Sequence, residues 1–117
     1  MSTKRKNLAD GVSTTVETID RLRQVLSDFK QAIVKLAKLT EGGEPGVSAL
    51  GNLNAPLRRR TVTEAMEEFE VARHQMRVAL FALCLEEGAS TSEIGRALGI
   101  SRQLASRLAL EIEEAGS

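Results

Sequence analysis

The chain has 117 residues, with 16 basic and 16 acidic side chains and a hydrophobic fraction of 42%. This length and composition predict one small domain, or a small domain with a helical appendage, and exclude a wholly disordered chain. Only three residues are aromatic, and none of them is Trp or Tyr. This scarcity argues against modules that bind single-stranded nucleic acid by stacking bases on aromatic rings.

The distribution of the apolar residues predicts neither a membrane-spanning helix nor secretion. The longest unbroken apolar run, Val78–Leu85, has eight residues, whereas a membrane-spanning helix needs about 20. No apolar stretch of signal-peptide length follows the basic residues Lys4, Arg5 and Lys6. The single cysteine, Cys84, cannot form an intrachain disulfide, which is typical of a reducing compartment. We therefore expect a cytoplasmic protein.

Charge is spread unevenly along the chain although the net charge is zero. Residues 1–40 carry eight basic and four acidic side chains, whereas residues 61–87 carry two basic and six acidic ones. The affinity of a protein for nucleic acid through bulk charge grows with the number of phosphates that it neutralises. Any nucleic-acid site in this chain must therefore be local.

The first third of the chain is predicted to contain a flexible arm, 1–13, and one amphipathic helix. Thr14 and Glu17 form a capping-box pattern at the start of that helix, which extends from about 15 to 40. Its apolar residues recur at spacings of three and four on one face: Ile19, Leu22, Leu26, Phe29, Ile33 and Leu36. Two alternatives are open: a helical hairpin within one chain and a coiled coil between chains. We interpret 14–40 as a helical dimerisation segment.

A Gly- and Pro-rich linker is predicted over 41–60, since this segment contains four of the chain's nine glycines and both prolines. About 20 residues is too long for a tight turn between helices. The segment is either a flexible spacer between an oligomerisation helix and a second domain or a loop with contacts of its own. Three consecutive arginines, Arg58, Arg59 and Arg60, stand at its end. They are either a solvated junction or an arm that contacts phosphates.

A second long helix is predicted from Thr61 to about Glu87, and it opens with a second capping-box pattern, Thr61 and Glu64. Its first half is amphipathic, and its second half is apolar on nearly every side, as in the central helix of a compact core. Gly88 is expected to end it. Four carboxylates form an acidic face on the first half: Glu64, Glu67, Glu68 and Glu70. This face is either solvated or a docking surface for a basic protein partner.

The last third predicts two short helices joined by a sharp turn. Ser90 and Glu93 form a third capping box for a helix that ends before Gly99, and Ser101 caps a final helix that extends to about Ala115. The inward positions carry residues suited to a close crossing of the two helices: Ile94, Gly95, Leu98, Ile100, Ala105 and Leu108. Gly99 can take the left-handed backbone conformation that such a turn requires.

The segment TSEIGRALGISRQLASRLAL, from Thr91 to Leu110, resembles the helix-turn-helix of bacterial transcription factors. The likeness is strongest to the short form in sigma-factor-like and resolvase-like DNA-binding domains, and it covers residues 73–112. Two positions depart from that pattern: Gly95 stands where Ala is usual, and Ala105 stands where a larger aliphatic residue is usual.

The resemblance implies that the second helix, 102–114, enters the major groove of double-stranded DNA. Its outward residues would then face the duplex: Ser101, Arg102, Gln103, Ser106 and Arg107. Arginine can donate twice to guanine, and glutamine can pair with adenine. Thr91 and Ser92 would lie against a phosphate at the start of the first helix, where free amides favour an anion.

Taken together, the patterns predict an all-α protein: the N-terminal helix, the linker, and a helix-turn-helix domain over 61–117. The predicted function is sequence-specific DNA binding by a small homodimeric transcriptional regulator. The alternative is a helical interaction or scaffold protein whose helix-turn-helix is only structural. No enzyme, cofactor or metal site is predicted, because the single histidine, His74, lies on a helix surface and Cys84 lies in an apolar stretch.

Overall fold

The computed structural model describes residues 2–116 and confirms the all-α prediction, since every regular element in that range is a helix. There are five: α1 (Thr3–Glu41), α2 (Gly46–Asn52), α3 (Ala55–Glu86), α4 (Thr91–Leu98) and α5 (Arg102–Ala115). In the described part of the chain, no helix is both long enough and apolar enough to cross a membrane.

The helices divide into two compact units. The terminal unit combines the residues up to Thr15 with those from Ala72 onward, so it contains the start of α1, the end of α3, and all of α4 and α5. The middle unit is Val16–Val71, which contains the rest of α1, α2 and the start of α3.

The core of the terminal unit is built around Phe81, whose side chain is fully buried. Ile94 from α4, and Ala105 and Leu108 from α5, complete the buried cluster. Cys84 is half-buried against this cluster and is therefore a packing residue, as its apolar surroundings in the sequence predict. The end of α3 thus serves as the central helix on which α4 and α5 pack.

The predicted flexible arm, 1–13, is wrong from Thr3 onward, because α1 begins there, and its first residue, Met1, lies outside the described residues. The Ser2 hydroxyl accepts a hydrogen bond from the Arg5 amide at 3.2 Å, so the helix is capped there and not at Thr14. Arg5 also forms an ion pair of 2.6 Å with Glu87, and the Thr15 hydroxyl donates to the Ala72 carbonyl at 3.3 Å. Contacts far along the chain therefore order a segment that is polar in sequence.

The interpretation of 41–60 as a flexible spacer is also wrong, because the segment contains α2 and the first two turns of α3. The Glu44 carboxylate accepts hydrogen bonds from Ser48 at 2.8 Å and from Asn52 at 2.5 Å, which ties it to α2. Ala49 and Leu53 bury their side chains in the middle unit. The remaining connections are only a few residues long.

Helix α3 begins at Ala55, six residues before the predicted start. Thr61 lies inside the helix, where its hydroxyl donates to the Leu57 carbonyl at 2.9 Å, so it is not a cap. Pro56 occupies the first turn, where its missing amide hydrogen costs nothing. The predicted end is close to the observed one: Gly88 has a φ of 96°, and its amide donates to the Leu85 carbonyl.

Candidate nucleic-acid interface

Helix α4 begins with a complete capping box, as the sequence predicts. The Ser90 hydroxyl accepts a hydrogen bond from the Glu93 amide at 3.1 Å, and the Glu93 carboxylate accepts one from the Ser90 amide at 3.1 Å. Two amide donors that a helix start would leave unpaired are thereby satisfied. Because α4 has only eight residues, this cap fixes where it starts.

The capping box predicts an acid-sensitive contribution to stability. Hydrogen bonds from the backbone and the side chain of Ser90, with a smaller contribution from Arg96, lower the pKa of Glu93 below its usual value of 4.5. A lowered pKa in the folded state means that the stabilisation is complete above the unfolded-state pKa and is lost as the pH falls through the folded one. We expect Glu93→Gln to remove this part of the acid sensitivity, measured as thermal-unfolding midpoints between about pH 7 and about pH 3.

Glu114 provides the control for this experiment, because its exposed side chain has no hydrogen bond or ion pair within the described residues. Glu114→Gln should leave the pH dependence of the midpoint unchanged. Equal pH dependence in Glu93→Gln and the parent would contradict a stabilising role for the capping box.

The turn between α4 and α5 has the geometry expected for it. Gly99 has a φ of 71°, in the left-handed region that favours glycine. Its amide donates to the Arg96 carbonyl at 3.2 Å, and the Ile100 amide donates to the Gly95 carbonyl at 3.0 Å. This pair of bonds closes the end of a helix in a Schellman motif. The chain therefore passes from α4 to α5 within three residues, the last of which is Ser101, and Ser101 caps α5 by accepting from the Leu104 amide at 3.1 Å.

The close crossing of α4 and α5 occurs at two small residues. A Cβ atom added to Gly95 would lie 3.1 Å from the Cβ of Ala105, which is tighter than ordinary contact. Both residues are buried. The two departures from the helix-turn-helix pattern are therefore a matched pair: the missing side chain at Gly95 makes room for the close packing of Ala105.

The outer face of α5 gathers four of the predicted site residues. Arg102, Gln103, Ser106 and Arg107 are exposed and together line one surface depression of about 490 Å³. Within the described residues, neither arginine forms an ion pair with a carboxylate. The guanidinium groups therefore keep their full capacity to donate hydrogen bonds to a ligand.

The other three predicted site residues lie elsewhere. Thr91 and Ser92 are in the first turn of α4, with Thr91 half-buried and Ser92 exposed. Ser101 is exposed, but its hydroxyl already accepts the capping hydrogen bond. None of the three lines the depression on α5.

The acidic end of α5 is engaged with α3. Glu111 lies 3.0 Å from Nε2 of His74, so the single histidine is a hydrogen-bonded helix-surface residue. Within the described residues, no three His, Cys, Asp or Glu side chains form a group that would hold a metal ion.

Sequence reasoning placed Arg58, Arg59 and Arg60 at the end of a linker and missed their structural context. They lie in the first two turns of α3, and Nε of Arg58 donates to the Leu53 carbonyl at 2.7 Å. Pro56 just ahead of them was the available signal, because proline favours the first turn of a helix. Arg58 and Arg59 also line an apolar pocket of the middle unit.

Comparison of the chain with protein-family models, with curated proteins and with solved structures finds no match.

Proposed function

We propose that the protein binds double-stranded DNA in a sequence-specific manner, with the outer face of α5 in the major groove. The observation that carries this proposal is the depression lined by Arg102, Gln103, Ser106 and Arg107. These side chains are exposed on the second of two closely crossing helices, and both arginines lack acidic partners in the described chain. Arginine and glutamine are the residues best suited to reading guanine and adenine.

The local charge supports this orientation. Residues 88–110 contain three arginines and one glutamate. Arg102 and Arg107 lie on the N-terminal half of α5, whereas Glu111, in its C-terminal half, contacts His74. A duplex that binds against the N-terminal half would contact the basic side chains. Recognition helices also contact base edges with their N-terminal residues.

One such module makes few phosphate contacts, so the proposal includes a homodimer that doubles them. Large aliphatic side chains of the middle unit support it, because they remain exposed along α1: Ile19 is 38% exposed, Leu26 44% and Val34 47%. Ile19 and Leu26 are seven residues apart, the spacing of a coiled-coil seam. Pairing of two copies would remove these side chains from water, with a gain of about 25 cal/mol per Å² buried.

Selection of bound fragments from a random pool of DNA duplexes tests the proposal. We expect enrichment of one motif, present as two half-sites about 10 base pairs apart, since a twofold dimer reads sites one helical turn apart. Enrichment of a single half-site would contradict only the homodimer and would leave sequence-specific binding supported. Failure to enrich any motif at low salt would contradict sequence-specific binding and favour the purely structural interpretation of α4 and α5.

A further inference from the structure

The middle unit contains a pocket of about 660 Å³ between α1, α2 and the first turns of α3. We call it the arginine pocket. Its walls include Phe29, Ile33 and Leu36 of α1 and Leu50 of α2, and Arg58 and Arg59 of α3 also line it. Pockets for small molecules have volumes of about 300–1,000 Å³ and are mostly apolar with a few polar groups. The arginine pocket matches that description in both size and chemistry.

Large apolar side chains in the pocket walls are exposed to solvent, although the middle unit buries few large apolar side chains elsewhere. The buried hydrophobic residues of the middle unit are Ala32, Ala49, Leu53 and Ala65, of which three are alanines. Ile33 and Leu50 in the pocket wall are 47% and 45% exposed. An apolar ligand would cover large apolar side chains that the unit's own helices leave exposed to water. The free energy gained is proportional to the apolar area removed from water.

Positive charge is concentrated on one wall of the pocket. Arg59 forms no hydrogen bond or ion pair within the described residues, and no acidic residue lines the pocket. The pocket also includes Ala55 and Pro56 at the start of α3, where the helix dipole is positive. Arg58 is less available, because its Nε donates to the Leu53 carbonyl and it shares a neighbouring pocket with Asp28. This wall is therefore complementary to an anion, with Arg59 as its main donor.

We propose that the arginine pocket binds an amphipathic monocarboxylate of the fatty-acid class. The alkyl chain lies against Phe29, Ile33 and Leu50, and the carboxylate pairs with Arg59, whose planar guanidinium matches it bidentately. The pocket belongs entirely to the middle unit and shares no residue with the depression on α5, so this proposal goes beyond DNA binding and does not depend on it. Ile33 follows Leu26 by seven residues, so a dimer that pairs through this face of α1 would compete with the ligand.

Calorimetric titration of the full chain with dodecanoate, below its micelle concentration, tests the proposal. We expect saturable binding, and we expect Arg59→Gln to weaken it by about 10- to 150-fold, since a hydrogen bond between charged groups contributes about 1.5–3 kcal/mol. Arg60→Gln is the matched control: it removes the same charge one residue away, from an arginine that does not line the pocket. Dodecyltrimethylammonium, which has the same chain and the opposite charge, should not bind.

Three results would overturn the proposal. The first is the absence of dodecanoate binding, and the second is equal weakening by Arg59→Gln and Arg60→Gln. The third is a dimer, seen by sedimentation, that Leu50→Glu dissociates and that excludes dodecanoate, because a second copy of the chain would then fill the pocket. Enrichment of a DNA motif is measured separately, so either proposal can fail without the other.

Discussion

Replacing Arg102 or Gln103 by alanine is expected to weaken binding to the selected duplex by about 5- to 150-fold, because a bidentate contact to a base contributes about 1–3 kcal/mol of discrimination. Binding to a scrambled duplex should change much less, since contacts to phosphate supply the non-specific affinity. Both side chains line the depression on α5 and are exposed. Fluorescence-anisotropy titrations of both duplexes, at one fixed salt concentration, measure the two affinities.

Arg60→Ala and Gln31→Ala are the matched controls, because each makes the same chemical change at an exposed residue of the middle unit. Neither should alter the ratio of the two affinities. Base readout by α5 is contradicted if Arg102→Ala lowers both affinities equally. It is also contradicted if Arg60→Ala weakens binding to the selected duplex as much as Arg102→Ala does, since the arginines would then act only as general positive charge.

The sequence predicts the last third of the chain closely because the signals there are local. Ser90, Glu93 and Ser101 cap the helices through hydrogen bonds to residues three positions away, and Gly99 sets the turn through its own backbone. Interactions of this kind depend on neighbouring residues only, so their pattern is visible in the order of residue types.

The first half of the chain is predicted less well because its helix boundaries depend on distant contacts. Thr14 and Thr61 match the capping pattern but lie inside helices, and the helix that contains Thr14 is held at its start by the contacts of Arg5 with Glu87 and of Thr15 with Ala72. A capping pattern in sequence does not distinguish a helix start from a helix interior when a partner element extends the helix.

The glycines and prolines of 41–60 predict a linker because these residues usually interrupt helices. In the structure they mark ends instead: Pro45 precedes α2 and Pro56 lies in the first turn of α3. The arginine pocket could not be predicted for the same reason, since its charged wall is the start of a helix that the sequence places six residues later. The exposed positions of α5 are predicted correctly because an amphipathic helix packs its apolar face against the core and leaves the opposite face to solvent.

Replacing Phe81 by alanine is expected to lower the free energy of unfolding by about 3–5 kcal/mol, the usual cost of deleting a fully buried phenylalanine. Phe81 has no exposed surface and lies at the centre of the cluster with Ile94, Ala105 and Leu108. Since a domain of this size is stable by about 5–15 kcal/mol, the variant loses a large part of its stability. Denaturant unfolding followed by far-ultraviolet circular dichroism measures the loss.

Phe69→Ala is the matched control, because Phe69 is only half-buried and belongs to the middle unit. We expect it to lower the free energy of unfolding clearly less than Phe81→Ala does, and equal losses would contradict the assignment of Phe81 as the centre of the core.

The Phe81→Ala variant also bears on DNA binding. Phe81 does not line the depression on α5, so its replacement should reduce the apparent DNA affinity only by the fraction of molecules that are unfolded. A larger reduction in fully folded protein would mean that the packing beneath α5 sets the orientation of its outer face.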